Sequence, residues 1–162
     1  MTVTRTIPSP VGELLLVGDG QVLSGIYFPG HAPVPRIGPA SEDAEAFGDA
    51  ASQLDEFFGG RRTSFDLDLD LRGTPFQLGA WEALRRIPYG GVATYGEVAA
   101  AAGRAGAARG AGHAIARNPV SIVVPCHRVV GAGGRLTGYA GGLGRKQALL
   151  DLERRVRAAT RT

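Results

Sequence analysis

The chain changes its hydrophobic pattern at one place, the segment Arg72-Gly73-Thr74-Pro75. Before this segment, short apolar runs of strand length are separated by turns rich in Gly and Pro. After it, apolar residues recur at the spacing of amphipathic helices. The change predicts an α+β chain with a small α/β domain over residues 1–73 and a mainly helical domain over residues 74–162.

The N-terminal half predicts strands joined by turns, a long loop and a helix. Gly18-Asp19-Gly20 lies between two apolar runs and predicts a hairpin. Asp66, Asp68 and Asp70 alternate with apolar residues, which predicts a half-buried strand rather than a calcium loop with its fixed Gly and Glu positions. The predicted strands cover residues 2–7, 14–17, 22–28 and 65–71, the loop covers Pro29–Pro39 and the helix covers Glu42–Phe58.

Composition and the N-terminus argue against several classes of protein. A single cysteine cannot form an internal disulfide, and with three scattered histidines it cannot complete a common structural zinc site. No apolar run approaches the roughly 20 residues needed to cross a bilayer, and Met1–Arg5 lacks the layout of a signal peptide. We therefore expect a cytoplasmic protein with no metal, no cofactor and no membrane partner.

The charges are divided unevenly along the chain. Residues 1–75 hold 11 acidic and 5 basic residues, a net of −6, whereas residues 76–162 hold 4 acidic and 13 basic residues, a net of +9. A basic half beside an acidic half is typical of a protein that meets a polyanion such as nucleic acid with one half. A simple dipolar surface is the alternative interpretation.

The second half predicts three short helices, over residues 75–87, 95–102 and 107–117. Thr74 and Thr94 precede the first two and predict N-caps. The last two helices, joined by a Gly-containing turn, have the layout of a helix-turn-helix.

Two further features of these helices bear on packing and on DNA. Trp81 lies on the apolar face of the first helix and is predicted to be in the core. Gly110 and Gly112 of the third helix each cost about 1 kcal/mol relative to alanine. Close packing against another helix or close approach to DNA would explain them. His113 is predicted to lie on the surface.

The single cysteine stands beside a histidine, after a short apolar run. Asn118-Pro119 ends the preceding helix, and residues 121–124 predict a buried strand that leads to Cys126. A cysteine near a base or a positive charge can act as a nucleophile, although buried cysteines are more often inert. Adjacent residues in a strand point to opposite faces, so His127 needs a turn or a bridging water to act as base.

The segment Pro125-Cys126-His127-Arg128-Val129 resembles the active-site signature of the O6-alkylguanine-DNA alkyltransferases, also called methylated-DNA–protein-cysteine methyltransferases. Other segments between residues 74 and 153 fall in the family's order and spacing, whereas residues 1–73 match only in general pattern. The matching segments are Ile87-Pro88-Tyr89-Gly90, Thr94-Tyr95-Gly96-Glu97-Val98-Ala99, Ala107-Ala108-Arg109, Asn118-Pro119, Gly138-Tyr139-Ala140-Gly141-Gly142, Lys146, Leu149-Leu150 and Glu153.

The resemblance implies a fold, a reaction and a partner. The fold is a ribonuclease-H-like α/β domain followed by a winged-helix, helix-turn-helix domain that carries the reactive cysteine. The reaction is direct-reversal DNA repair, in which the alkyl group of O6-alkylguanine passes irreversibly to Cys126 of a single-use protein. The partner is duplex DNA, bound by a monomer from the minor-groove side. O4-alkylthymine as a second substrate and cooperative binding along DNA are left open.

The resemblance also implies roles for individual residues. Cys126 is the alkyl acceptor, His127 deprotonates it through a water, and Glu153 orients His127. Asn118 orders the turn around the cysteine, and Tyr95 protonates the leaving guanine. The implied DNA contacts are Tyr95, Arg104, Arg109, Gly110 and Gly112, with Arg109 filling the gap left by a flipped base, and the implied walls of the base pocket are Val129, Tyr139 and Ala140.

Three positions depart from the family's pattern, namely Ala105, Gly110 and Ala111, and they affect the turn and helix that would meet DNA rather than the chemistry. Two other hypotheses stand beside alkyl transfer. One is a non-catalytic DNA-binding protein of the same fold that recognises damage or regulates. The other is a cysteine hydrolase that uses Cys126 and His127.

Overall fold

The computed structural model describes residues 1–31 and 35–160. Residues 32–34 belong to the predicted Pro29–Pro39 loop, and that part of the prediction lies outside the described residues. The chain has the predicted α+β organisation, with a small sheet in its N-terminal half and helices in its C-terminal half.

The N-terminal sheet contains β1 (Thr2–Ile7), β2 (Leu14–Gly18), β3 (Leu23–Tyr27) and β4 (Ala40–Glu42), in the order β3-β2-β1-β4. Strand β2 pairs antiparallel with β1 and with β3, which confirms the predicted hairpin, whereas β4 runs parallel to β1. The sheet is therefore open at β3, and this edge faces the second half of the chain.

Helix α1 (Gly48–Phe58) begins later than the predicted start at Glu42. The residues before it form β4 instead, and Phe47 adopts a left-handed conformation with φ 54°, which breaks the helical path. The sequence predicts an apolar face of Phe47, Ala51, Leu54 and Phe58. The helix instead buries Ala50, Leu54 and Phe57, while Ala51 and Phe58 are partly buried beside them.

The predicted strand over residues 65–71 is wrong. The alternation of burial is present, with the apolar side chains half-buried and the aspartates exposed, but only Leu69 bridges a strand, at Leu23 of β3. Further along the same edge, Ile26 N–H donates to Pro119 O at 2.9 Å. Because the C-terminal half occupies that part of the β3 edge, residues 65–71 cannot extend their pairing into a ladder.

The predicted helices of the second half are present as α2 (Pro75–Arg85), α3 (Tyr95–Ala101) and α4 (Ala108–Ala116). Two short parallel strands, β5 (Ala93–Thr94) and β6 (Val129–Val130), lie beside them. A long helix that the sequence analysis did not predict, α5 (Leu143–Thr160), follows.

Both predicted helix caps are present. The hydroxyls of Thr74 and Thr94 accept hydrogen bonds from the N–H groups of Gln77 and Glu97, whose side chains accept in return from the cap N–H groups. Each capping box satisfies donors at the start of a helix and so fixes where α2 and α3 begin.

Trp81 lies in the core, as predicted, and is only 2 % exposed. Its indole N–H donates to Ala114 O at 2.8 Å, which fastens α2 to α4. The turn between α3 and α4 contains Gly103 and Gly106, with φ 85° and 87°, a conformation that favours glycine. Helices α3 and α4 thus form the predicted helix-turn-helix against α2.

The predicted strand over residues 121–124 is also wrong, because these residues form a tight turn. Ser121 bridges to Val124, and Ile122 has φ 76°. The turn is closed by Asn118, whose Nδ2 donates to Val124 O at 2.8 Å and whose Oδ1 accepts from Val120 N–H at 3.0 Å. These local hydrogen bonds replace the ladder that a strand would need.

Arg145 of α5 joins the two halves of the chain. Its Nε donates to Val11 O at 2.6 Å, its Nη1 donates to Gly141 O at 3.0 Å, and its guanidinium lies over the Phe28 ring. Within residues 1–31 and 35–160, no helix is long and apolar enough to cross a membrane, and no three His, Cys, Asp or Glu side chains group to hold a metal ion.

Candidate active site

Cys126 begins a single turn of 3₁₀ helix, Cys126–Arg128, directly after the turn that Asn118 closes. The cysteine is 4 % exposed, and its N–H donates to Val124 O at 2.8 Å. A helical turn places neighbouring side chains on adjacent faces rather than opposite ones. The side chains of Cys126 and His127 therefore do not point to opposite faces, as they would in an extended strand.

His127 is fully buried and is held by a carboxylate. Its Nε2 lies 2.7 Å from Glu153 Oε2, which comes from α5. Its Nδ1 is buried and has no hydrogen-bond partner within the described chain. The ring therefore has one nitrogen fixed by Glu153 and one nitrogen available on its other side.

Arg128 holds the same carboxylate from a second direction. Its Nε donates to Glu153 Oε1 at 2.8 Å, and its Nη2 donates to Oε2 at 2.9 Å. Its Nη1 donates to Ile87 O at 2.8 Å, and Gly90 N–H donates to Oε1 at 3.2 Å. A planar guanidinium suits this two-point contact with a carboxylate.

These contacts set the charge states of the pair. Burial alone would raise the pKa of Glu153, but the hydrogen bonds and positive charge of His127 and Arg128 outweigh it and lower that pKa to about 2. Burial lowers the pKa of His127, and Glu153 offsets only part of that effect. At neutral pH Glu153 is ionised and accepts from Nε2–H of a neutral His127, which leaves Nδ1 as a proton acceptor.

Burial raises the pKa of the Cys126 thiol. Asn118, the Lys146 ammonium and the Tyr139 hydroxyl act in the opposite direction and reduce that rise. The resting cysteine is therefore a protonated thiol, which needs a base before it can act as a nucleophile.

A cavity of about 510 Å³ opens from Cys126 toward the helix-turn-helix. Helix α4 forms one side, and residues 138–140 form the other. Among the predicted residues, the cavity brings together Cys126, Tyr95, Arg109, Gly112, Tyr139 and Ala140, and it is also lined by His113, Ile115, Ala116 and Gly138.

Tyr95 and Tyr139 are the aromatic side chains of this cavity. The Tyr95 hydroxyl lies 2.6 Å from Thr137 Oγ1. The Tyr139 hydroxyl is buried without a hydrogen-bond partner of good geometry, and burial beside Cys126 raises its pKa well above the ordinary value. The Tyr139 hydroxyl therefore lies beside the thiol, and Tyr95 lines the same cavity.

Of the predicted DNA contacts, Tyr95, Arg109 and Gly112 line the cavity, whereas Arg104 and Gly110 do not. Arg109 is exposed at the rim, and Arg104 is exposed with its guanidinium 4.7 Å from the centre of the Phe76 ring. A Cβ atom at Gly110 would lie 3.5 Å from Phe76, and one at Gly112 would lie 3.7 Å from Tyr95. These are ordinary contacts, so packing within the chain does not require either glycine.

The positions of Val129 and His113 differ in part from what the sequence analysis predicted. Val129 is fully buried in β6 and does not line the cavity, because its pairing with Ala93 turns it into the core. His113 is exposed as predicted, yet it also lines the cavity.

Three side chains make contacts around the site that sequence reasoning did not predict: Arg128, Thr137 and Lys146. Arg128 and Lys146 stand inside the matching motifs, and that position was the available signal in the sequence. Thr137 has no such signal, because its contact with Tyr95 spans 42 positions.

Fold and site together define a class: DNA-binding proteins in which a cysteine faces a cavity beside a helix-turn-helix and a histidine–glutamate pair stands behind it. The family model of the 6-O-methylguanine DNA methyltransferase DNA binding domain matches residues 75–155, and that of its ribonuclease-like domain matches residues 2–71. The chain belongs to this family, the methylated-DNA–protein-cysteine methyltransferases.

Individual relatives agree over nearly the whole length. The methylated-DNA–protein-cysteine methyltransferase of Mycobacterium bovis is 50 % identical over 150 residues, which cover 93 % of this chain and 91 % of the relative. That of Mycolicibacterium paratuberculosis is 49 % identical over 158 residues, covering 98 % and 96 %.

Solved structures give the same result for the fold. The crystal structure of Mycobacterium tuberculosis OGT in complex with DNA matches with a TM-score of 0.91 and 48 % identity, covering 95 % of this chain and 94 % of that one. The crystal structure of Mycobacterium tuberculosis O6-methylguanine methyltransferase matches with a TM-score of 0.90 and 49 % identity, covering 96 % and 94 %.

Proposed function

We propose that this protein repairs O6-alkylguanine in duplex DNA by moving the alkyl group to Cys126 Sγ. The observation that carries the proposal is the position of Cys126. Cys126 lines a cavity that opens beside the helix-turn-helix, and the next residue, His127, is bound by Glu153. The family and its relatives support the same reaction.

The proposed transfer is a single displacement. Nδ1 of neutral His127 takes the thiol proton, directly or through a water, and Glu153 stabilises the imidazolium that forms. The thiolate attacks the alkyl carbon, a carbon–sulfur bond forms, and the bond from that carbon to guanine O6 breaks. The electron pair stays on the guanine, which takes a proton from the Tyr95 hydroxyl as it leaves.

The product is a thioether on Cys126, and the proposed scheme contains no step that removes the alkyl group from it. Each molecule therefore acts once. In this scheme the protein is a stoichiometric reagent, with no metal or cofactor in any step.

The guanine has to leave the base stack to reach Cys126. We propose that α4 enters the minor groove, where the missing side chains of Gly110 and Gly112 permit close approach of the backbone to DNA. The surroundings of both glycines support this, because a Cβ atom at either position would make only ordinary contacts within the chain. Arg109, at the rim of the cavity, fills the gap left by the base, and Arg104 contacts the flanking backbone.

The flipped base would be held by the wall opposite α4. The N–H groups of Tyr139 and Ala140 donate no hydrogen bond within the described residues, so both are free to bind guanine O6. Donors placed at this oxygen stabilise the negative charge that develops there as the bond to the alkyl carbon breaks.

Residues 1–73 have a supporting role in this proposal, as a domain that braces the cavity wall while residues 74–162 carry the chemistry. Arg145 and Phe28 supply that brace. We further propose that the protein works as a monomer in the cytoplasm, where its thiol stays reduced.

Mass spectrometry tests the reaction. The full chain is incubated with a duplex that carries one O6-methylguanine, and intact and peptide masses are recorded, with Cys126→Ser and an unmodified duplex as controls. We expect one methyl group on Cys126 and at most one turnover per molecule. Tight binding without methylation would indicate a recognition protein instead, and repeated turnover would indicate a hydrolase-like enzyme.

A further inference from the structure

The hydroxyl of Tyr95 is engaged by a neighbour before any substrate arrives. Thr137 Oγ1 lies 2.6 Å from it, and this is the single hydrogen bond that either hydroxyl makes within the described residues. Thr137 directly precedes Gly138, Tyr139 and Ala140, the segment that forms the wall of the cavity. The contact therefore joins α3 to the opposite wall of the base cavity.

The main chain of Thr137 is anchored from the other side. Lys146 of α5 is 1 % exposed, and its Nζ donates to Thr137 O at 3.0 Å and to Gly138 O at 3.4 Å. Burial lowers the pKa of Lys146, and the neighbouring Cys126 acts against that change. A buried ammonium with carbonyl partners restrains the backbone that carries the Thr137 hydroxyl.

Only one direction of the hydrogen bond between the two hydroxyls leaves Tyr95 able to donate its proton to a bound base. If Tyr95 donates to Thr137, its proton is occupied and cannot reach the base. If Thr137 donates to Tyr95, the phenol proton is free to point into the cavity. As that proton leaves, the phenolate that forms keeps a charge-assisted hydrogen bond from Thr137.

We propose that Thr137 is a positioning residue that holds Tyr95 for proton donation to the leaving guanine and stabilises the phenolate that results. The proton passes from Tyr95 to the guanine, and Tyr95 regains one from solvent after the base departs. This inference rests on the proposed alkyl transfer, and it adds a residue that makes its contribution through Tyr95.

Single-turnover kinetics with the methylated duplex test this role, with the rate at saturating DNA separated from the DNA concentration at half-saturation. Thr137→Val removes the hydroxyl and keeps the shape, and Thr137→Ser keeps the hydroxyl. We expect Thr137→Val to lower the saturating rate about tenfold with little change in half-saturation, as loss of a charge-assisted hydrogen bond predicts. We expect Thr137→Ser to restore most of the rate.

A double-mutant cycle with Tyr95→Phe separates positioning from a general structural effect. Once the phenol is absent, Thr137→Val should cause no further loss of rate. Thr6→Val, at an exposed threonine of β1, is the matched control and should behave as the wild type.

Two results would overturn the inference. One is a Thr137→Val rate equal to the wild-type rate. The other is an equal loss from Thr137→Val in the presence and absence of the Tyr95 hydroxyl. If the wild-type protein itself leaves Cys126 unmethylated, the proposed function fails instead, so the two failures are distinct.

Discussion

Phe28 of the N-terminal half packs against Tyr139 of the cavity wall, with 5.7 Å between the ring centroids. Gly141, two residues after Tyr139, lets the rings approach, because a Cβ atom there would lie 2.4 Å from Phe28 Cδ2. The shape of the site thus depends on a domain that contributes no residue to the proposed chemistry.

Gly141→Ala should therefore disturb the cavity wall. The added methyl group must displace an aromatic ring in a packed interface, which costs about 1–3 kcal/mol of unfolding free energy. We also expect a lower single-turnover rate of methyl transfer. Urea unfolding and the transfer assay measure the two effects. Gly144→Ala is the control, because a Cβ atom there meets nothing within 4 Å; equal behaviour of the two variants would contradict the prediction.

Glu153→Gln should destabilise the protein and slow alkyl transfer. The change leaves the Arg128 guanidinium buried beside a neutral amide, and breaking a buried pair in this way costs about 3–5 kcal/mol. Asp151→Asn on the exposed face of α5 removes the same charge and should be nearly neutral. Urea unfolding at neutral pH compares the two.

The lowered pKa of Glu153 predicts that the stability of the protein depends on pH. The pKa of Glu153 is lowered from 4.5 to about 2 in the fold, so its ionised form stabilises the protein above pH 4.5. That contribution is lost as the pH falls from 4.5 toward about 2. The difference in unfolding free energy between wild type and Glu153→Gln should shrink across this range, and a constant difference would count against the assigned cause.

The Cys126 thiol should react slowly with iodoacetamide at neutral pH in the free protein. Burial raises its pKa above the ordinary 9.0, and only the thiolate is the nucleophile. The labelling rate of the folded protein should rise only at a higher pH than the labelling rate of the urea-unfolded chain. Labelling rates across pH, read by mass spectrometry, check this expectation; a folded-state rate that is already maximal at neutral pH would refute it.

Arg109→Ala should reduce methyl transfer more than duplex binding. An inserted side chain offsets part of the few kcal/mol needed to flip a base, whereas one lost surface charge changes overall affinity little. We expect a fall of about tenfold in the transfer rate. Arg154→Ala, an exposed arginine of α5, controls for the loss of one charge. Equal effects of the two variants on transfer would argue against a role for Arg109 in flipping.

Local sequence signals predicted the elements whose boundaries depend on adjacent residues. The capping boxes at Thr74 and Thr94 and the helix-turn-helix are of this kind. Residues 65–71 and 121–124 were wrongly predicted as strands because a strand needs a free partner edge. The β3 edge is shared between two distant segments, and Asn118 closes the second segment into a turn.

The residues of the candidate site also fall into two groups, those that local sequence signals indicate and those that they do not. The contact between His127 and Glu153 and the position of Cys126 at a cavity agree with what the matching motifs imply, while the roles of these residues stay predictions. The contact of Thr137 could not be predicted, because nothing in its neighbours shows that its hydroxyl meets Tyr95. Helix α5 was missed because its buried face carries the charged residues Lys146 and Glu153 beside Leu149 and Leu150, so the buried positions do not form a purely apolar pattern in the sequence.

Arg128 touches Glu153 and the carbonyl of Ile87, just beyond the end of α2. The carboxylate that binds the His127 ring is thus also a tie between α5 and the segment that follows α2. Most chemical or genetic damage to this pair would remove activity and folded structure together. Because unfolded chains are removed by proteolysis, loss of either side chain should lower the amount of the protein in the cell as well as its activity.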